Sequence, residues 1–307
     1  MNLSIVSTLY LSAGHVEEFY RRVSVAADVL TPSWELILVD DGSPDASLAL
    51  AIEIMRIDPR VRVIELSRNF GHHRAIMTGL AHARGALVYL TDSDLEEAPE
   101  LLHRFHAEMS GTGDDVVYGV QASRKGGMLE RMTGWVFYRL FNLLASSPVP
   151  ANLVTSRLMT ARYVRALVSH REQEMFLGGL MAITGFRQRP IIVAKSSRGE
   201  TTYTLRRRVA LFVNSVTSFS YVPLLAIFYL GCFIIVLASG GIVYLLVRKV
   251  AYHDLLVGWA SVMITLWLLG GIMIFCMGLI GIYLSRVFSE TKSRPYTIVA
   301  QVHERGE

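Results

Sequence analysis

Apolar and polar positions follow two rhythms over the first two thirds of the chain. Short β-rich runs occupy Leu3–Leu9, 35–39, Val61–Leu66, 86–91 and 116–120. Stretches with helical spacing at 15–30, 45–57 and 73–83 separate the first four. Asp45 or Ser43 is placed to cap the second helix, and Pro99 to open a further one with Glu100 in its first turn. Strands alternating with helices predict an α/β, Rossmann-like domain whose mostly parallel sheet is covered on both faces. Ligands bind such sheets beyond the carboxyl ends of the strands. That rule selects residues 10–14, 40–43 and 92–96.

After residue 221 the pattern changes. Residues 222–247 and 255–284 contain no charged side chain. Each is longer than the roughly 20 residues a helix needs to cross a bilayer. With 248–254 as a turn, they predict a transmembrane hairpin, so both chain ends lie on one side. Arg206, Arg207 and Arg208 precede the hairpin; Arg286, Lys292 and Arg294 follow it. They outnumber Arg248 and Lys249 in the turn, which puts the catalytic side in the cytoplasm. Residues 128–144, which include Glu130, Arg131 and Arg139, and residues 205–221 read as amphipathic helices at the bilayer surface. The expected division is a cytoplasmic domain at 1–204, a juxtamembrane helix at 205–221, two membrane helices within 222–284 and a tail at 285–307.

Composition agrees with that division. Hydrophobic residues make up 52% of the 307, and the excess follows Tyr221. The net charge of +4 lies beside the apolar segments, which favours a membrane surface as partner. Nucleic acid is set aside, because no zinc-finger, base-reading or RNA-binding pattern occurs. Cys232 and Cys276 fall inside the apolar runs, which fits a reducing compartment. The first ten residues read as a strand rather than an export signal, so the first domain is expected to stay cytoplasmic. Gly240, Gly241, Gly270 and Gly271 would let membrane helices pack closely, which permits a homo-oligomer.

The candidate chemistry starts at Asp92-Ser93-Asp94, directly after the strand at 86–91. Two carboxylates one residue apart can share a hard divalent cation, Mg2+ or Mn2+, and leave positions for diphosphate oxygens and water. Such an ion would offset the charge of a departing nucleotide diphosphate. Asp40-Asp41-Gly42-Ser43 forms a second acidic strand end, where a carboxylate could accept hydrogen bonds from a base or ribose and Gly42 allows a tight turn. Ser67-Arg68-Asn69-Phe70-Gly71-His72 ends the third strand. There Gly71 and the helix N-terminus could approach a nucleotide, while Arg68 orders the loop or meets a carboxylate. His72 and His73 suggest metal ligands, but adjacent side chains rarely point the same way.

Taken in order, these motifs resemble the polyisoprenyl-phosphate glycosyltransferases, such as dolichyl-phosphate mannose synthase and the bactoprenol glucosyltransferases. The resemblance rests on DDGS (40–43), RNFG (68–71), DxDL with PE (92–100) and VVYGV (116–120). It continues through RLM (157–159), RGETTYTL (198–205), SFSYVPL (218–224) and KSRP (292–295). It implies a glycosyltransferase A fold and inverting transfer from a nucleotide-sugar donor to undecaprenyl or dolichyl phosphate, serving glycan or envelope modification. An acceptor phosphate that is already anionic needs no dedicated base, so alignment and metal stabilisation of the leaving group would suffice. Carried over by position, Asp92 and Asp94 would be catalytic and hold the metal, with Glu96 as a further ligand. Thr8, Leu9 and Tyr10 would line the base pocket. Asp41, with Arg68, Gly71 and Ser93, would contact the nucleotide sugar. Arg124, Lys125 and Arg131 would meet the acceptor phosphate. Arg198 and Tyr203 would belong to a lid closing over the donor. Glu172 is a weaker candidate for the sugar pocket, set against a solvated helix face.

This sequence departs from that pattern where the sugar should lie. A common P-x-Y-N-E reads Thr8-Leu9-Tyr10-Leu11-Ser12, and a glutamine after the D-x-D becomes Glu96. G-D-F becomes Val154-Thr155-Ser156, and S-K-Y becomes Thr201-Thr202-Tyr203. The expectation drawn from these changes is a modified sugar donor. Three rivals remain: a polysaccharide synthase, which would carry Q-x-x-R-W and more membrane helices; a non-catalytic scaffold on the same fold; and a lipid-phosphate flippase.

Overall fold

The computed structural model describes residues 1–121, 153–170, 172, 177–194 and 258–305, together with scattered helical positions between 224 and 247. The proposed surface helices at 128–144 and 205–221, the acceptor residues Arg124, Lys125 and Arg131, and the lid residues Arg198 and Tyr203 lie outside the described residues. Two compact units emerge: one holds the sheet together with residues from Arg294 onward, the other the C-terminal apolar helix.

Eight strands form one mixed sheet in the order β7-β5-β6-β4-β1-β2-β3-β8. They are β1 (Leu3–Leu9), β2 (Trp34–Asp40), β3 (Val61–Leu66), β4 (Leu87–Leu90), β5 (Val116–Gln121), β6 (Leu153–Thr160), β7 (Gln188–Val193) and β8 (Val299–His303). The expected parallel core is present, with β4, β1, β2 and β3 adjacent and parallel. β1 and β2 are buried along their whole length, as strands covered on both faces must be. Between them run α1 (Val16–Leu30), α2 (Ser47–Ile57), α3 (His72–Ala81) and α4 (Leu101–Thr112), with α5 (Ala161–Val168) and α6 (Leu177–Ile183) later.

The faces follow from side-chain parity. Leu3, Ile5 and Leu9 of β1 join Val16, Phe19 and Val23 of α1, Ile54 of α2 and Phe105 of α4 in one core. Val6, on the opposite face, meets α3 at Gly79, where an added Cβ would lie 2.5 Å from Val6 and 2.9 Å from Val39. α3 therefore sits directly on β1 and β2.

Three strands were not anticipated. β6 inserts antiparallel between β4 and β5, and β7 pairs parallel with β5. β8 comes from the segment read as a tail and pairs antiparallel with β3. The second helix starts later than expected, at Ser47 with Ala46 as its cap, and Asp45 sits one residue earlier, accepting the Ser47 N–H (3.0 Å).

In the second unit, α7 (Trp259–Thr291) is one helix of 33 residues. Its Thr265–Thr291 portion, which contains an 18-residue stretch of mean hydropathy 2.2, is the one candidate membrane span among the described residues. Trp267, Ile274, Phe275 and Leu284 are all exposed, so apolar side chains face outward around the helix. Leu224, Ile227, Tyr229, Gly231, Phe233, Ile234, Val236, Gly240 and Val247 are also helical.

Candidate functional site

Four loops meet beyond the carboxyl ends of β4, β1, β2 and β3, at the place the strand pattern selected. The loop after β1 is stitched to the one after β2: Leu11 N–H donates to Ser43 Oγ (2.8 Å), Ser12 N–H to Ser47 Oγ (2.9 Å) and Ala13 N–H to Asp45 Oδ2 (3.1 Å). Burial pushes the Asp45 carboxyl up, but hydrogen bonds from Ser43, Ser47 and Ala13 outweigh it and hold the group well below the usual carboxylate range.

Asp41 organises the next loop. Its Oδ1 accepts from Phe70 N–H (2.7 Å) and its Oδ2 from Gly71 N–H (2.9 Å). Burial raises the Asp41 carboxyl, opposed by those two amides and by the charges of His72 and Arg68. Gly42, at φ +62°, packs against the same loop, and a Cβ there would lie 2.5 Å from Asn69 N. Arg68 lies over the Phe70 ring, its guanidinium carbon 4.2 Å from the centroid. Gly71 takes φ +97° and leads into α3, a conformation open to glycine at little cost.

The D-x-D segment closes the constellation. Asp92 lies 3.5 Å from His72 Nε2, while His72 Nδ1 is 3.0 Å from Thr8 Oγ1. One imidazole thus touches residues from the ends of β1 and β4. Asp94 Oδ1 accepts the Glu96 N–H (2.9 Å), which forms a tight turn with Leu95 at φ +61°. Glu96 is partly buried beside it.

Several expected contacts take a different form. Leu9 turns its side chain into the core, because β1 parity directs odd positions toward α1; Tyr10, 49% exposed, is the residue that reaches outward. Ser93 is buried, and its hydroxyl donates to the Thr8 carbonyl (2.9 Å), locking β4 to β1. Glu172 is partly buried in the connection between α5 and α6, not on a helix face.

Sequence reasoning also missed two residues. Spacing gives no signal that separates His72 from its neighbour, yet His72 reaches both Thr8 and Asp92; the His73 ring lies 5.9 Å from it between centroids, at 47° between the ring planes. Glu97, fully buried, accepts the backbone N–H groups of Thr155 (3.2 Å) and Ser156 (2.7 Å), so the D-x-D turn is tied to β6. A buried carboxylate beside a charged turn leaves no local sequence signal.

Among the described residues, no three His, Cys, Asp or Glu side chains gather round one point as a closed metal cage. Asp92 and Asp94 instead present hard oxygen donors on one turn. That set fits Mg2+ or Mn2+ only as an open site, completed by ligand oxygens and water.

The fold is of the glycosyltransferase A type. A mannosyltransferase from Pyrobaculum calidifontis, solved with GDP-Man and Mn2+, superposes with a TM-score of 0.51 at 17% identity, over 71% of this chain and 63% of that one. The chain belongs to glycosyl transferase family 2, whose defining pattern matches residues 4–166. A glycosyltransferase-class protein of Mycobacterium tuberculosis (strain CDC 1551) is 54% identical over 99% of this chain and 89% of its own length. A prophage bactoprenol glucosyl transferase homolog of Escherichia coli (strain K12) is 27% identical over 98% and 99%.

Proposed function

We propose that this protein transfers a sugar, with inversion, from a nucleotide-sugar donor to a polyprenyl phosphate at the membrane surface. The observation that carries the reading is the carboxylate pair Asp92 and Asp94, set at the end of β4 against loops from β1, β2 and β3. The bactoprenol glucosyl transferase relatives, similar over nearly the whole chain, support the lipid acceptor. The mannosyltransferase found with GDP-Man and Mn2+ supports the donor class.

In this reading Tyr10 and the Asp41-ordered loop bind the nucleotide. Asp92 and Asp94 hold the divalent ion, which would supply positive charge against the departing diphosphate. An acceptor phosphate oxygen forms the new bond to the anomeric carbon as the bond to the nucleotide diphosphate breaks, its electron pair leaving with the diphosphate. The acceptor is already anionic, so no proton has to be moved. Arg124, Lys125 and Arg131 are the proposed acceptor contacts, and Arg198 and Tyr203 the proposed lid.

Chain connectivity supports a membrane hairpin. Residues from Arg294 onward share the compact unit of the N-terminal strands, so an intervening chain that enters a bilayer would have to cross it an even number of times. With α7 as one crossing, 222–247 supplies the other. The helical state of its described positions agrees, and the flanking arginines favour a cytoplasmic catalytic side.

The test combines purified protein, undecaprenyl phosphate, Mg2+ or Mn2+ and a panel of plain and modified nucleotide sugars, with the lipid product as readout. Sugar-lipid should form with the wild type and fall at least 100-fold with Asp94→Asn, the scale on which losing a charge-stabilising group acts. Full activity in Asp94→Asn would remove the metal reading. Preference for UDP-glucose or GDP-mannose over every modified donor would remove the expectation of an unusual sugar.

A further inference from the structure

We propose that Thr297, on the approach to β8, is a positioning residue for the loop at 67–72 that receives the donor. This deepens the functional reading above and rests on it. The last described segment of the chain contacts the start of the loop and the helix that follows it. At its start, Ser67 N–H donates to the Ile298 carbonyl (3.0 Å). Beyond its end, the Thr297 hydroxyl meets the buried Thr78 hydroxyl of α3 at 2.8 Å. Thr78 gives its own proton to the Arg74 carbonyl (3.0 Å), so Thr297 is the donor in that pair.

The position of α3 matters because His72, its first residue, is the side chain that touches both Thr8 and Asp92. On the sheet side α3 cannot move inward, since Gly79 already rests on Val6 and Val39. From the chain segment leading into β8, Thr297 adds a polar contact to the helix through Thr78. In between, Phe70 and Gly71 N–H groups hang from Asp41. The loop is therefore clamped between a rigid sheet and a strand that follows the membrane helix.

β8 has other anchors, which makes Thr297 separable from folding. His303 Nε2 lies 3.0 Å from Glu65 Oε2, and Arg62 pairs with Glu304 at 2.9 Å while also donating to buried Glu35 at 3.0 Å. Together with the strand ladder, these keep β8 in place when one hydroxyl is lost.

The test compares full-length wild type, Thr297→Val and Thr297→Ser in lipid nanodiscs. Hydrogen exchange of residues 67–73 should quicken roughly threefold to tenfold in Thr297→Val, the scale of one lost hydrogen bond. Exchange in β1 and β2 and the Tm should be unchanged, and Thr297→Ser should restore wild-type rates. In the transfer assay, donor KM should rise by a similar factor with acceptor KM and kcat unchanged. The proposal fails if exchange at 67–73 does not respond, if the whole sheet loosens together, or if donor KM in an active enzyme stays constant. A wild type that transfers no sugar from any donor would defeat the functional reading instead, and the exchange data alone would then decide the coupling of Thr297 to the loop.

Discussion

Leu11 holds its backbone at φ +56°, a left-handed conformation that costs a leucine roughly 1 kcal/mol and that asparagine tolerates better. Its neighbours are already fixed, since its N–H bonds Ser43 and the next residue bonds Ser47. Leu11→Asn should therefore raise the Tm by roughly 2–4 °C; an unchanged or lower Tm would show that the strain is relieved some other way. Asp40 carries a second local cost. Burial pushes its carboxyl up to about 6, the Ser43 and Gly42 amides only partly opposing, and its Oδ1 has no hydrogen-bond partner. The folded form thus binds a proton more tightly than the unfolded chain, at 3.8. Its contribution to stability is present below pH 4, is lost as the pH rises through 6, and stays lost above that. Asp40→Asn removes the ionisation, so its Tm advantage over wild type should be larger at pH 7.5 than at pH 4. A pH-independent difference would contradict the assignment. Both positions lie in motifs that spacing alone singles out. What spacing does not carry is side-chain direction: Leu9 and Ser93 sit in the same motifs, yet they serve packing and inter-strand bonding.

Among elements, those with strong periodicity were readable, and those that depend on distant partners were not. β1 to β4 and the helices between them follow from apolar runs and caps, because each run is long enough to declare its period. β6 and β8 depend on neighbours far along the chain. Val299-Ala300-Gln301-Val302-His303 is a weak strand by itself, and its partner β3 ends 233 positions before it begins. Similarly, the site was legible as Asp92, Asp94 and the Asp41 turn. Its brace, Glu97 against β6, was not, since a carboxylate in sequence gives no hint that it will be buried. Glu97→Ala would leave the Thr155 and Ser156 N–H groups without their acceptor, a loss of about 3 kcal/mol. The Tm should then fall by roughly 6–12 °C, with Glu97→Gln intermediate because it keeps one carbonyl acceptor. Equal Tm values for the Ala and Gln variants would mean that the carboxylate does not brace β6.

For the whole molecule, the sheet and the apolar helix make different demands on solvent. A 33-residue helix at about 1.5 Å per residue is roughly 50 Å long, more than the roughly 30 Å of a bilayer core, and its exposed tryptophan, phenylalanine and isoleucine side chains suit lipid better than water. The hairpin reading predicts that, in inside-out and right-side-out vesicles, a membrane-impermeant maleimide labels Tyr252→Cys and Arg305→Cys from opposite faces. Cys232 and Cys276, inside the apolar runs, should give little background. Labelling of both reporters from one face would exclude the hairpin.

The pairing of β3 with β8 also sets an order of events during synthesis. The ribosome makes the central strands early, but the strand that covers their open edge emerges 233 residues later, roughly ten to fifty seconds at ordinary elongation rates. In the proposed membrane reading, the apolar segments would be leaving water for lipid during that interval. On that reading, a chain that never reached the bilayer would be poorly placed to seal its own edge, maturation of the proposed nucleotide site would be tied to insertion, and stranded molecules would keep a bare β-edge for chaperones or proteases to find.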